Sequence, residues 1–295
     1  MTVHLDKPIP VSCFIIAFNE ADRIAPVIES AAGWVDEVIV IDSGSSDGTQ
    51  EIAAGLGARV IHHDWPGYGP QKRYGEDQCS HDWLLNLDAD EVLSDELCRE
   101  IIALFAAGPP PKPFYRFRIK LVYPGDAHPR VWADYHNYVR LYDRRSGRFS
   151  ESPVHDTVQT GAVRPMQLGG DAWHYSYRSF GYLIEKLNSY GDLQAKSIKK
   201  QSKLVLLVRL PFEFPLAFVK YYLFRRQITG GRKGFVFAMI NSFFRFLRSR
   251  YRNGFARFVG IAGDSWTCRA ISARTVAAVR WPNGSAPTGV PSPAG

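Results

Sequence analysis

The nonapeptide WLLNLDADE, residues 83–91, is an apolar run that ends in three carboxylates, those of Asp88, Asp90 and Glu91. The apolar part is typical of a buried strand. Carboxylates within about 4–6 Å of one another raise each other's pKa unless a cation compensates. Mg²⁺, held by one or two protein carboxylates and by phosphate oxygens of a ligand, would do so. The alternative is a strand followed by the acidic first turn of a helix, and this stretch alone leaves both open.

Apolar runs upstream predict three more strands, at residues 11–17 (VSCFIIA), 37–41 (EVIVI) and 58–62 (ARVIH). Helices are predicted over residues 21–32 and 47–56, and residues 67–79 are expected to be a loop that leads into a helix. Strands that alternate with helices of this length indicate βαβ units. We therefore expect an α/β fold with a mainly parallel central sheet flanked by helices.

Polar residues follow the predicted ends of three of these strands. Ligands of parallel sheets bind outside the carboxyl ends of the strands. The polar residues are therefore expected to share one pocket, and they are Asn19, Glu20, Asp42, Asp88 and Asp90.

The pattern changes after a predicted helix at residues 94–106 and a stiff proline-rich linker at residues 108–113. Residues 114–163 alternate and are rich in Tyr, Phe and Arg, which predicts additional strands, and WHY at residues 173–175 ends this region. A further helix is predicted over residues 180–200. We expect a domain at residues 1–178 (halves 10–107 and 114–178), a helical basic region at 179–280 and a disordered Pro/Gly/Ser-rich tail at 281–295.

The net charge of +7 is unevenly distributed. Residues 199–257 hold fourteen Lys or Arg and one acid, Glu213, whereas the rest of the chain holds 22 bases and 28 acids. This asymmetry indicates a polyanionic partner. We expect an anionic membrane surface rather than a nucleic acid.

Two apolar segments within this basic region fit such a surface. Residues 204–224 carry charges and two prolines, Pro211 and Pro215, so they are a poor candidate for a membrane span. Residues 233–247 (KGFVFAMINSFFRFL) are rich in Phe and are followed by arginines, a pattern typical of helices that lie in a membrane interface. The alternative is a core helix with a basic rim.

The four cysteines, Cys13, Cys79, Cys98 and Cys268, are scattered and form no CxxC pair. This argues against structural zinc and a disulfide scaffold, and it fits a reducing compartment. The first residues lack the basic and apolar regions of a signal peptide, so a cytoplasmic location is expected.

Four motifs together resemble the family 2 glycosyltransferases, namely IIAFNEA (15–21), VIVIDSGSSDGT (38–49), QKR (71–73) and LNLDADE (85–91). The resemblance is densest over residues 10–95 and is closest to the bacterial lipopolysaccharide core glucosyltransferases. It continues through RLY (140–142), VHD (154–156, where the family has VHE) and HY (174–175). It implies the GT-A fold, with a basic aromatic helical C-terminal region, and inverting transfer from a nucleotide-diphospho-sugar.

The resemblance also implies roles for single residues. Ala17, Phe18, Asn19 and Glu20 would line the pocket for the base, and Asp42 would bind the ribose or uracil. Asp88, followed by Ala89, would be the ribose-side acid, and Asp90 would bind Mg²⁺ or Mn²⁺ and through it the diphosphate. His155 could complete the metal shell or be structural. Lys72 or Arg73 could neutralise the leaving phosphate or be a solvated helix residue.

Inverting transfer needs one general base within reach of the acceptor hydroxyl. The candidates are Asp156, Glu151 and Glu91. Asp156 is favoured because it lies beyond the added strands, and Glu91 is expected to support the metal motif.

We therefore expect a metal-dependent transferase that moves a hexose, such as glucose from UDP-glucose, onto a lipid-linked or lipopolysaccharide-core acceptor at the cytoplasmic membrane face. Transfer to capsule, exopolysaccharide or other glycolipid acceptors stays open. A non-catalytic membrane- or nucleic-acid-binding protein with a degenerate transferase body is the alternative from another class. A sugar nucleotidyltransferase is disfavoured because AFNEADR is not a glycine-rich loop.

Overall fold

The structure, a computed structural model, describes residues 3–154, 156–195 and 203–251. The predicted cation ligand His155 and the predicted tail at residues 281–295 lie outside these ranges.

Strands and helices alternate through the first third of the described chain. They are β1 (Ile9–Ala17), α1 (Ile24–Ala32), β2 (Val35–Asp42), α2 (Thr49–Gly55), β3 (Arg59–His62), α3 (Tyr68–Gln78), β4 (Trp83–Asp88), β5 (Glu91–Leu93) and α4 (Asp95–Phe105). The predicted strands and helices of this part are confirmed, with ends displaced by a few residues. The short strand β5 was not predicted, because its three residues read as the start of the next helix.

Three longer strands and three helices follow. They are β6 (Phe114–Leu121), β7 (Tyr135–Asp143), β8 (Met166–His174), α5 (Phe180–Ala195), α6 (Lys203–Val219) and α7 (Gly231–Tyr251). A π-helical turn at Lys220–Phe224 and a 3₁₀ helix at Gln227–Gly230 join α6 to α7. The added strands predicted between residues 114 and 163 are therefore confirmed as β6 and β7.

The eight strands form one sheet in the order β3-β2-β1-β4-β7-β6-β8-β5. The half formed by β3, β2, β1 and β4 is parallel, as predicted. The other half is mixed, since β7 runs antiparallel to both β4 and β6, and β8 is parallel to β6. A parallel neighbour needs a crossover, whereas β6 and β7 are joined directly by a loop and so pair antiparallel. The α/β fold is the one expected of GT-A proteins.

The register of the parallel half brings the predicted site residues to one edge. Ala17 at the end of β1 pairs with Asp42 at the end of β2, and its neighbour Ile16 pairs with Asp88 at the end of β4. Three strand ends from distant parts of the sequence thus meet within one or two residues of each other. The strand ends that precede the predicted site residues therefore lie along one edge of the sheet.

Strand β1 is apolar throughout because both of its faces are buried. Cys13 and Ile15 pack on the side of α1 and α4 with residues such as Ile28. Phe14 and Ile16 pack on the opposite side. Alternate residues of a strand point to opposite faces, so a continuous apolar run is what a central strand with two covered faces requires. The three cysteines among the described residues are buried and free.

The C-terminal helices pack on the end of β6 and on one another. Tyr123, Leu183 and Phe237 form a small apolar cluster there. Between α6 and α7, Arg245 Nε donates to the buried carboxylate of Glu213 at 3.0 Å. Among the described residues, no helix is both long and apolar enough to span a membrane.

Candidate active site

Asp88 lies between two buried cations at the end of β4. Its Oδ1 is 2.8 Å from Lys72 Nζ, and its Oδ2 accepts from Arg140 Nη2 at 2.8 Å. Arg140 also donates to Glu91 Oε1 at 2.6 Å and to Asn86 Oδ1 at 2.5 Å. The sequence predicted a cation beside the acidic motif. For Asp88 and Glu91, the side chains of Lys72 and Arg140 supply this positive charge.

Burial and these cations act on the carboxyl groups in opposite directions. Burial would raise the pKa of Asp88, but the charges of Arg140 and Lys72 outweigh it and hold this pKa well below its usual range. At Glu91, whose side chain is almost fully buried, burial prevails over Arg140 and raises the pKa. Asp88 is therefore an anion at neutral pH.

Lys72 reaches this site because the first turn of α3 packs closely against the loop at residues 150–153. Gly69 N donates to Ser152 O at 3.1 Å, and Tyr68 N donates to Pro153 O at 3.1 Å. A Cβ at Gly69 would lie 2.2 Å from the carbonyl oxygen of Ser150, so the approach requires glycine. One turn later, the fully buried Lys72 projects between the end of β4 and this loop.

The side chain of Lys72 joins two carboxylates that are distant in sequence. Besides Asp88, its Nζ donates to Asp156 Oδ2 at 2.6 Å. The ring of Phe149 lies beneath it, with its centroid 5.1 Å from Nζ. Lys72 is therefore not a solvated helix residue. The guanidinium of Arg73 is partly exposed and lies 3.7 Å from Glu151, so Arg73 is the residue of this pair that contacts solvent.

Asp90 faces a different set of partners from Asp88. Its Oδ2 lies 3.3 Å from His174 Nε2, at the end of β8, and 3.7 Å from Arg23 Nη1. Burial lowers the pKa of His174, but the hydrogen bond and charge of Asp90 outweigh it and raise this pKa. The pKa of Asp90 is lowered in turn, by His174 and Arg23 against the effect of burial.

The donors around Asp90 fit a divalent cation. A carboxylate oxygen and an imidazole nitrogen are ligands that Mn²⁺ accepts. The described residues contain no group of three or more acidic, His or Cys side chains placed to hold a metal. The protein would thus contribute few ligands and leave the others to substrate oxygens and water, as is usual for Mg²⁺. Binding would require the neutral imidazole of His174, so the affinity for the ion would depend on pH.

The carboxylate of Asp42 is fully buried within the turn that follows β2. Its Oδ1 accepts from Gly44 N and Ser45 N, both at 2.9 Å, and from Gln50 Nε2 at 2.6 Å. Its Oδ2 accepts from the Ser45 hydroxyl. The turn uses both oxygens, so a nucleotide would have to replace one of these bonds or contact the backbone that Asp42 holds.

The segment after β1 is hydrogen-bonded to the same turn. Asn19 N donates to Ser45 Oγ at 2.8 Å, and Asn19 Oδ1 accepts from Ser46 N at 2.9 Å. Asn19 has a φ of 55°, a left-handed conformation that asparagine tolerates better than most residues. Glu20 N donates to Thr49 Oγ1 at 2.8 Å. These bonds join two of the strand ends into one surface.

The other residues predicted to line the base pocket differ in exposure. Ala17 is buried, and so is Ala89 between the two aspartates, whereas the ring of Phe18 is 39% exposed. Glu20 is turned toward Arg23 and Arg178, with its Oε2 3.1 Å from Arg178 Nη2. Of this set, Phe18 is the side chain that is free to cover a planar base.

The three candidate bases lie in different environments. Asp156 is about one-third exposed, is bonded to Lys72 and lines a cleft of about 200 Å³. Glu151 is 82% exposed beside Arg73. Glu91 is almost fully buried and accepts from Asp88 N at 3.2 Å, so it stabilises the motif and does not face a substrate.

Sequence reasoning did not assign three residues that the structure places at the site. Arg140 and His174 lie in the short motifs RLY and HY, so a signal was present without a role. Gln71 is fully buried and donates to Ser43 Oγ at 3.0 Å and to His63 O at 3.2 Å, which ties α3 to the ends of β2 and β3. Only the motif QKR could have indicated it.

Comparisons with known proteins show the family of this chain. Residues 12–163 match the family described as Glycosyl transferase family 2. An uncharacterized glycosyltransferase of Rickettsia prowazekii is 40% identical over 249 residues, which cover 81% of this chain and 85% of the relative. The lipopolysaccharide core biosynthesis glycosyltransferase LpsC of Rhizobium meliloti is 29% identical over 248 residues, with 81% and 90% covered.

A solved structure shows a weaker likeness. It is glucosyl-3-phosphoglycerate synthase from Mycobacterium tuberculosis in complex with Mn²⁺ and UDP-glucose, 28% identical with a TM-score of 0.31. The match covers 39% of this chain and 44% of that one. The family assignment rests on the family match and the longer relatives.

Proposed function

Because this chain belongs to glycosyl transferase family 2 and is a glycosyltransferase, we propose that it transfers a hexose from a UDP-sugar, such as UDP-glucose, with inversion, to a lipid-linked or lipopolysaccharide-core acceptor. The observation that carries the proposal is the shared edge at which Asp42, Asp88 and Asp90 meet. The lipopolysaccharide acceptor is supported by the relative named for core biosynthesis.

In this proposal, each of the three acids of the donor site has a different role. The turn held by Asp42, together with Asn19, forms the surface for the nucleoside. Asp88, an anion fixed by Lys72 and Arg140, receives the ribose hydroxyls. Asp90 would hold Mg²⁺ or Mn²⁺, with His174 as the second protein ligand available among the described residues. That ion would stabilise the negative charge that develops on the leaving diphosphate.

Asp156 is the proposed base. Its carboxylate takes the proton of the acceptor hydroxyl while the hydroxyl oxygen attacks the anomeric carbon and the bond from that carbon to UDP breaks. The products are the glycosylated acceptor, UDP and a protonated Asp156. Lys72, 2.6 Å from Asp156 and 2.8 Å from Asp88, keeps base and donor site at a fixed separation.

The donor assignment is tested with a panel of nucleotide sugars in the presence of Mn²⁺, by release of UDP with and without truncated-core lipopolysaccharide. We expect turnover with one or a few UDP-sugars and its loss in Asp90→Ala. Asp36→Ala is the matched control, because Asp36 is 54% exposed and lies at the start of β2, at the opposite edge of the sheet. Turnover retained by Asp90→Ala, or absent from the wild type with every donor, would contradict the proposal.

The base is tested separately with Asp156→Asn and Glu151→Gln. General-base catalysis contributes about 10²–10⁴-fold, so Asp156→Asn is expected to lose transfer by that factor while UDP still binds. Glu151→Gln is expected to stay within a few-fold of the wild type. Retained turnover in Asp156→Asn, with loss in Glu151→Gln, would move the role to Glu151.

A membrane partner is supported by the surface of the C-terminal helices. Phe212, Leu216 and Phe224 are 60%, 66% and 79% exposed. The loop before β7 adds Val131 and Trp132, which are 72% and 66% exposed. Exposed apolar side chains within a basic region are typical of proteins that lie on an anionic bilayer.

The loop before β7 contacts the C-terminal helical region through a basic residue. The guanidinium of Arg226 lies over the ring of Trp132, 5.6 Å from its centroid, and Thr229 Oγ1 donates to Val131 O at 2.8 Å. Tryptophan is enriched at membrane interfaces, and each nearby Lys or Arg adds about 1 kcal/mol on anionic lipid. We place the enzyme peripherally on the cytoplasmic face of the membrane, through residues 199–257 and this loop.

Flotation with vesicles containing anionic phosphatidylglycerol tests this placement. The wild type is expected to float at low salt, and Phe224→Ser with Trp132→Ser is expected to lose most of this binding. Ser substitution of Tyr68, an exposed aromatic on α3, is the control. If the wild type does not bind at low salt, the apolar surface has another role and the membrane proposal fails.

A further inference from the structure

We propose that the stacked rings of His136 and Tyr138 form a platform on which a sugar ring of the acceptor lies, an inference that rests on the proposed transferase function. The two rings are 5.6 Å apart between centroids and 9° from parallel. Tyr138 is 44% exposed, and His136 is exposed as well. The two parallel rings are exposed, so packing within the protein leaves an aromatic surface open to a ligand.

The stacked rings contact the charged network of the candidate active site through Arg140. Alternate residues of a strand share a face, so His136 and Tyr138 lie on the same side of the sheet, and Arg140 follows at a register shift in the pairing with β6. The guanidinium of Arg140 lies over the ring of Tyr138, 5.8 Å from the centroid. Since Arg140 also binds Asp88, the stacked rings lie next to the proposed donor site.

Each of the two rings lines a different cleft. The first, of about 200 Å³, is lined by Tyr138, Arg140 and the proposed base Asp156. The second, of about 300 Å³, is lined by His136 and by His174, which contacts Asp90. A ligand on the rings would thus have the proposed base on one side and the diphosphate side of the donor on the other.

The lining of the clefts suits a sugar. Ring C–H faces of a sugar are apolar and pack on aromatic rings, while its hydroxyl groups need hydrogen-bond partners. Both kinds of group are present, since the aromatic residues stand among the polar residues Arg116, Asn137, Thr157, Asp134, Ser176 and Gln227.

The sheet order assigns this ligand to the acceptor rather than to the donor. The turns proposed for the nucleoside follow β1 and β2, whereas β7 lies on the other side of β4. The second cleft is completed by residues after position 163, such as Tyr221 and Phe237, which lie beyond the segment matched by the family. Members of one family that use different acceptors are expected to differ in the acceptor site. Lining residues outside the segment matched by the family therefore fit an acceptor site.

Tyr138→Ala and Tyr138→Phe test the platform in the full-length enzyme. The readouts are the KM for truncated-core lipopolysaccharide and the hydrolysis of UDP-glucose without acceptor. We expect Tyr138→Ala to raise the KM about 3- to 10-fold, the size of an aromatic stacking contribution, and to leave hydrolysis unchanged. Tyr138→Phe, which keeps the ring, is expected to stay within about twofold. Tyr68→Ala is the control, because Tyr68 is equally exposed at 44%.

An unchanged KM in Tyr138→Ala would overturn the platform and leave the proposed function standing. An equal loss of hydrolysis and transfer would show that the ring is structural, and would also overturn it. If the wild type itself transfers no sugar to this acceptor, the proposed acceptor fails, and the platform fails with it.

Discussion

The turns after β2 and β4 each begin with an aspartate at the same edge of the sheet, but they hold it in different ways. Asp42 is bound entirely by its own turn, with partners no more than eight residues away. Asp88 is bound by Lys72 from α3 and by Arg140 from β7, 52 residues away. The first is a local set of hydrogen bonds from uncharged donors to a carboxylate, and the second is an ion network assembled by the fold.

The difference has an energetic consequence. Losing one partner of a local hydrogen-bonded turn leaves a few polar groups unsatisfied, at about 1–3 kcal/mol. Losing one partner of a buried ion network leaves an uncompensated charge, at about 3–5 kcal/mol. The turn after β2 should therefore tolerate substitution better than the network after β4, although both serve the same edge.

Replacement of Arg140 tests the network directly and should have the largest effect. Arg140→Met leaves the carboxylates of Asp88 and Glu91 with fewer partners, so we expect a loss of about 3–5 kcal/mol in the free energy of unfolding in urea. Arg145→Met is the matched control, because Arg145 is 64% exposed and solvent-screened ion pairs contribute little to stability. A loss below about 1 kcal/mol in Arg140→Met would mean that the network is not what holds the turn.

Replacement of Asp42 tests the local turn and should have a smaller effect. In Asp42→Ala the amides of Gly44 and Ser45 and the side chain of Gln50 lose their acceptor, so a loss of about 1–3 kcal/mol is expected. Asp42→Asn keeps one oxygen and should retain most of the stability. If Asp42→Ala destabilised the protein as much as Arg140→Met, the contrast between the turns would be wrong.

The smallest effect is expected at Asp47, at the exposed rim of the turn after β2. Burial acts to raise the pKa of Asp47, but hydrogen bonds from Thr49 and Ala21 outweigh it and lower this pKa. A folded-state pKa below the unfolded one gives stability that is present above about pH 4. That stability is lost as the pH falls through the folded-state value.

Asp47→Asn should therefore cost no more than about 0.5 kcal/mol at pH 7. Its free energy of unfolding should also fall less steeply than that of the wild type as the pH is lowered below about 4. Asp64→Asn serves as the control at an exposed acid. An identical acid limb in wild type and Asp47→Asn would show that this carboxylate does not stabilise the turn.

The same contrast explains what could be predicted from the sequence. The turn after β2 was predictable, because Asp42 and its partners Gly44 and Ser45 are near neighbours within IDSGSSDGT, and each residue type has a known turn chemistry. The succession of strands β1 to β4 along the chain, and their parallel pairing, were predictable from the apolar periodicity and the short connections. The resemblance to a family added the expected roles of Asp88 and Asp90, which no local pattern contains.

The compensating charges at the turn after β4 could not be predicted in the same way. Sequence reasoning looked for a metal to neutralise three acids, whereas Lys72 and Arg140 already neutralise two of them. These cations come from elements whose pairing, β4 with β7 and α3 with the 150–153 loop, has no local signature. His174 was missed for the same reason, because β8 had to pair with β5 to bring it to Asp90.

Asp90, unlike Asp42 and Asp88, is the acid that we propose to link a divalent cation to the nucleotide. Calorimetric titration of UDP into the protein, with and without Mn²⁺, tests it without any need for the acceptor. We predict that Mn²⁺ strengthens UDP binding to the wild type and to Asp36→Asn, a variant at the opposite edge of the sheet, and that Asp90→Asn loses this strengthening. The same Mn²⁺ dependence in Asp90→Asn as in the wild type would contradict the account.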